Sequence, residues 1–157
     1  MTKPFDVGAH LAQARAIIRK CGWLVQAVAP HPGQPGPRVA YTAGLTDAGL
    51  PELIIVGLDI RLMQDVLNGA ARRHLATEIS AGDQLDGLAS VAFRAVEADD
   101  TWSVAVARKL YGNDRVRLLQ LVWPDKDGFY PGEPGWSLGD YQKLPAEDDA
   151  QVAKYRR

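Results

Sequence analysis

Four residues of this sequence carry groups that could accept or deliver a proton beside a ligand: Tyr41, Glu52, His31 and Asp125. Glu52 stands at the mouth of the apolar run Leu53 to Leu58. A carboxyl half-buried there and left unpaired has a raised pKa, which makes it a candidate general acid or base. The structural alternative is a salt bridge to Arg38 or Arg61. Asp125 follows Trp123-Pro124 and is the second candidate base, with Tyr41 or His31 assisting a hydrolytic or transfer reaction. His31 lies in a proline-rich loop, where a side chain can face a ligand or simply be solvated. His10 and His74 fall on periodic helical segments and read as structural, and Cys21 reads as a small buried hydrophobe.

Two further segments have the composition of a binding surface. With a period of two, Ala40, Thr42 and Gly44 share one face of a strand, and such a strip lets a helix, another backbone or a flat ligand come close. Gln120 interrupts the apolar run Leu118 to Val122, and a buried amide must find partners, since an unsatisfied one costs about 1 to 3 kcal/mol. Trp123, Asp125, Glu133 and Trp136 then combine aromatics and carboxylates in a glycine-rich stretch, the make-up of a binding rim or of a tail pinned to a sheet. The candidate ligand-binding residues are therefore Tyr41, Thr42, Gly44, Glu52, Gln120, Trp123, Asp125 and Trp136. Asp125-Lys126-Asp127-Gly128 is no calcium loop, because Trp136 occupies the place of its twelfth, acidic ligand. Phosphate-binding loop, dinucleotide fingerprint, nucleophile elbow and metal-ligand spacing are all absent from the sequence.

These residues must be held by elements that the pattern predicts. Asp6 caps a helix over 7–21, which ends at Gly22; strands follow at 23–29, 38–45 and 52–58, the last apolar on both faces and therefore central. Asp59 caps a helix over 60–76, a strand at the sheet edge follows over 89–98, Asp100 caps a third helix over 101–111, and 116–123 is the last strand. Residues 124–144 form an irregular wrapping tail, and 145–157 a short terminal helix. The predicted fold is α+β, a mostly antiparallel sheet of about five strands with helices packed on it, with a parallel pair around one of the later helices still open.

Length and composition limit the function. At 157 residues, 46% hydrophobic and 24% charged, the chain suits a single domain over 1–157. Its 18 basic and 19 acidic residues leave a net charge of −1, too little field to draw nucleic acid or a membrane surface. One cysteine, no signal-like start and no long apolar segment predict a cytoplasmic protein.

Gly22-Trp23, Ala40-Tyr41-Thr42-Ala43-Gly44-Leu45, Pro51-Glu52-Leu53, Gly57-Leu58 and Gln120-Leu121-Val122-Trp123-Pro124-Asp125 with Gly128 and Pro131 resemble a family of small bacterial proteins classed as a domain of unknown function. The resemblance implies a stand-alone bacterial cytoplasmic domain and brings no catalytic residue. The residues themselves support a small-molecule-binding or regulatory module with its pocket between the 41–44 strand and the tail. Carboxylate-based hydrolysis or transfer is one alternative. A flavin-binding barrel is another, leaving the cofactor open, and a homodimer through a sheet edge is a further possible partnership.

Overall fold

The computed structural model describes residues 7–30, 32–33, 37–98, 102–138 and 142. Helix α1 (Val7–Cys21) leads through Gly22 into strands β1 (Leu24–Val28) and β2 (Val39–Ala43). A 3-10 turn over Leu45–Ala48 connects to β3 (Glu52–Val56), and α2 (Ile60–Ala76) follows. Strands β4 (Gln84–Leu85) and β5 (Phe93–Glu97), helix α3 (Ala105–Tyr111) and strand β6 (Leu118–Val122) complete the described elements.

The strands form one open sheet in the order β1-β2-β3-β6-β5-β4. Pairing is antiparallel throughout except for β3 with β6, which run parallel with Glu52 opposite Leu118 and Ile55 opposite Leu121. The fold is α+β as expected, with six strands rather than five. The addition is β4, two residues long, too short to show the alternation by which a strand is read from sequence. Its presence moves β5 off the sheet edge. The order is open, with β1 and β4 at the two ends.

Helices cover both faces. Helix α2 sets Met63, Val66, Leu67, Ala70 and Ala71 against Ala40, Leu53, Ile55, Leu119, Leu121 and Trp123. On the other face, Ala14 and Ile18 of α1 and Val106 and Ala107 of α3 meet Tyr41, Ile54, Val56 and Leu118. All five residues of β3 are buried, as expected of a central strand covered on two sides. Asp59 caps α2 by accepting from the Arg61 and Leu62 amides at 3.1 and 3.3 Å. Helix α1 is shallower than its periodicity suggests: Ala14 and Ile18 are buried, while Ile17 is 40% exposed and Cys21 is exposed. One line of α1 side chains reaches the sheet, so Cys21 is a surface thiol and not the buried hydrophobe expected. Helix α3 begins at Ala105 without a side-chain cap; the proposed caps Asp6 and Asp100, His31 and the terminal helix lie outside the described residues. Among the described residues, no helix is long and apolar enough to cross a membrane.

Candidate functional site

Glu52 is the first residue of β3 and is fully buried. The chain leaves β2 at Gly44, whose φ of +122° turns it into the 3-10 segment and lines up consecutive amides. The Glu52 carboxylate accepts from the amides of Gly44 (3.1 Å), Leu45 (3.2 Å) and Thr46 (2.9 Å) and from the hydroxyls of Thr42 (2.8 Å) and Thr46 (2.6 Å). Thr42 Oγ1 in turn accepts from the Leu53 amide at 2.9 Å. Burial pushes the Glu52 carboxyl above its ordinary pKa, while the Thr46, Thr42 and Gly44 donors pull the other way. Amides and hydroxyls, not Arg38 or Arg61, are its partners. Its oxygens are spent on the chain itself, so its role is to tie the β2–β3 connection together.

The small strip is likewise filled. A Cβ on Gly44 would lie 2.8 Å from the Gly22 carbonyl oxygen and 2.9 Å from the Trp23 Cα, so the backbone between α1 and β1 occupies the space a flat ligand would need. Ala40 belongs to the core under α2. Tyr41 is 2% exposed, its hydroxyl accepting from the Val106 amide of α3 at 3.1 Å, and burial raises its pKa.

Trp123, Asp125 and Trp136 lie beyond the far end of the parallel pair. Register places Glu52 beside Leu118, five residues before Trp123, a separation of about 16 Å at the rise of a strand. Trp123 donates its indole N–H to the Val56 carbonyl at 2.9 Å and meets Trp136 edge-on with ring centroids 6.3 Å apart. Asp125 Oδ1 accepts from the amides of Asp127 and Phe129, and Oδ2 from the amide and hydroxyl of Ser137, at 2.9 to 3.0 Å. Desolvation acts to raise the Asp125 pKa, but the bonds from Phe129, Ser137 and Asp127 outweigh it and hold the carboxyl below its usual range. Gln120, opposite Ile54 in mid-sheet, donates to the Gln142 main-chain oxygen at 3.0 Å. The eight candidate binding residues are thus distributed along the sheet rather than gathered around one cleft. Thr42, Gly44 and Glu52 are brought together, as are Trp123, Asp125 and Trp136, while Tyr41 packs on the opposite face against α3.

A different surface is concave. An open groove of about 480 Å³ lies where β3 and β6 begin and β5 ends, lined by Pro51, Glu97, Asn113, Asp114, Val116 and Arg117 together with Leu118 and Leu119. Val116, Leu118 and Leu119 are at most 6% exposed, their side chains turned into the two cores, so most of the surface the groove presents is polar. Glu97, Asn113, Asp114 and Arg117 are exposed around it. Arg117 donates one guanidinium N–H to the Gly49 carbonyl at 2.8 Å, which orients it at the rim. His74, 1% exposed, holds the Pro51 wall. Its Nδ1 accepts from the Ile79 amide at 2.8 Å, so Nε2 carries the proton and donates to the Pro51 carbonyl at 3.1 Å. Burial lowers its pKa, in keeping with a neutral ring.

Comparison with known families gives a match, over residues 17–137, to Domain of unknown function (DUF4262). The chain belongs to the DUF4262 family. No curated protein and no solved structure matches it. The matched span runs from α1 through the Trp136 contact and includes the whole described sheet, the groove and the Asp125 turn, so the expected membership of a domain-of-unknown-function family holds. The blocks in question are Tyr-Thr-x-Gly-Leu, Pro-Glu-Leu and Val-Trp-Pro-Asp. In this DUF4262 chain those blocks coincide with internal fastenings: Thr42 and Gly44 with Glu52, Trp123 with Val56, Asp125 with Ser137. The groove residues Asn113, Asp114 and Arg117 escaped the sequence reading because they sit in a short polar connection between α3 and β6. Their one signal was a cluster of charge before the most strand-like segment of the chain.

Proposed function

We propose that this DUF4262 domain is a small-molecule-binding module whose ligand sits in the groove at the start of β3 and β6, and that it binds without turnover. The observation that carries this reading is the groove's construction, a concave and mainly polar surface ringed by two acids, an amide and an arginine. Among the described residues no ion pair engages Glu97, Asp114 or Arg117. Small-ligand sites are concave and fix their ligand with a few placed polar groups. The mixed rim suits a small polar molecule carrying both an amine, for Glu97 and Asp114, and an anionic group, for Arg117. Catalysis by a carboxylate base has less support, because Glu52 and Asp125 each direct both oxygens at their own chain.

Thermal-shift screening against amino acids, diamines and simple dicarboxylates tests the reading. Zwitterions are expected to raise the unfolding midpoint of the wild type. The double substitution Glu97→Gln with Asp114→Asn is expected to abolish that rise while leaving the unliganded midpoint nearly unchanged, as exposed substitutions do. Equal responses from the wild type and the double variant would move the ligand away from the groove.

A further inference from the structure

At the other end of the sheet the chain binds one of its own side chains as though it were a ligand. Gln142 is 1% exposed. Its side-chain oxygen accepts from the Trp123 amide at 3.0 Å and its side-chain NH₂ donates to the Trp123 carbonyl at 2.6 Å. Its own main-chain oxygen accepts from Gln120 Nε2 at 3.0 Å. One glutamine residue is thus read three times: both ends of its carboxamide by a main-chain donor and acceptor just past β6, and its carbonyl by a buried amide. A carboxylate could not replace it, since it has no proton to offer the Trp123 carbonyl. An alkyl side chain would remove both of these bonds to the Trp123 main chain.

The second observation is an acceptor with nothing to accept. Gln120 is fully buried, and its Oε1 has no hydrogen-bond partner. It belongs to the same amide that holds Gln142, and the cost of an unsatisfied buried carbonyl is of order 1 kcal/mol or more. Gln142 satisfies three of the polar groups around it and leaves this fourth one over. A glutaminyl ligand that also brings an N–H donor next to its carbonyl would satisfy all four.

We propose that the end of β6 is a glutamine-recognition slot, occupied here by Gln142 as an internal plug, and that free or peptide-borne glutamine competes with Gln142 for it. The slot is separate from the groove, on the far side of the parallel pair. Its affinity in the intact chain is reduced by the fraction of time Gln142 fills it, so removing the plug exposes the intrinsic affinity.

Full-length Gln142→Ala and wild-type protein are titrated with N-acetyl-L-glutamine, with N-acetyl-L-glutamate as the matched acid, following the unfolding midpoint and the Trp123 amide resonance. The variant is expected to melt lower than the wild type and to recover stability with the glutamine compound alone. Its affinity should exceed that of the wild type by about tenfold or more. Should the variant not fold, the wild-type titration still decides: glutamine, and not glutamate, shifts the Trp123 amide. Equal effects of the two compounds, or no shift of the Trp123 amide by either, would overturn the slot and leave Gln142 a fastening of the fold.

Discussion

At the scale of single residues, the polar side chains inside this domain are committed to its backbone. Glu52 is the clearest case, with five donors around two oxygens. Glu52→Gln exchanges an acceptor for an NH₂ that faces other donors, and the expected loss is about 3 kcal/mol in chemical denaturation. A loss within experimental error of zero would mean the turn does not depend on the carboxylate. His74 gives a pH dependence whose sign follows from its lowered pKa. The unfolded ring titrates near its ordinary value of about 6.5 and the folded one lower. Between those two pH values the unfolded chain binds more protons, so stability rises with pH through that window and levels off above it. The unfolding midpoint is expected to fall as pH drops below about 6.5, less steeply in His74→Phe than in the wild type. At this scale the sequence identified Gln120 as a residue that must have partners, and left Glu52 either unpaired with a raised pKa or bridged to Arg38 or Arg61. The actual partners of Glu52 were hidden, because the Thr46 and Gly44 amides converge on it only once Gly44 has taken its positive φ.

Among the elements, legibility followed periodicity. Helix α2 and strands β2, β3 and β6 carry long, regular apolar patterns, and their expected spans match to within two residues. Strand β5 was expected to begin at 89 but starts at Phe93, and β4 was not expected at all; both lie in a stretch where Gly82 and Gly87 at positive φ direct the chain through turns. The β2–β3 connection depends on Gly44, where close backbone and a φ of +122° exclude a side chain. Gly44→Ala is expected to destabilise the domain by about 2 kcal/mol or more, measured by urea unfolding; an unchanged midpoint would contradict the close approach of Gly22 and Trp23. The segment after β6 was rightly seen as irregular, but its order comes from Asp125 acting as an acceptor for Asp127, Phe129 and Ser137. Asp125→Asn keeps the size and removes one acceptor oxygen. Limited proteolysis within 126–138 should accelerate in that variant while far-ultraviolet circular dichroism stays the same; equal cleavage rates would show that the turn is held by other contacts.

At the scale of the whole molecule, the described residues form a mixed six-stranded sheet covered on two faces by helices, and its core is the part the sequence displayed best. The division of the candidate residues was hidden because it depends on register. Glu52 and Trp123 belong to neighbouring strands that run parallel, so residues from the start of one and the end of the other are separated by the full length of the sheet. That arrangement gives the molecule two ends with different characters, the polar groove at the start of β3 and β6 and the aromatic, self-bonded cap beyond Val122. The central claim is that the zwitterion-binding site of the proposed function is the first of these. Amide chemical-shift mapping tests it most directly, with the isotope-labelled wild-type protein titrated with the zwitterion that stabilises it most. The account predicts saturable shifts at Glu97, Asn113, Asp114 and Arg117 with little change at Gly44 and Thr46. Shifts centred on Gly44 to Thr46, with the groove amides unmoved, would contradict it.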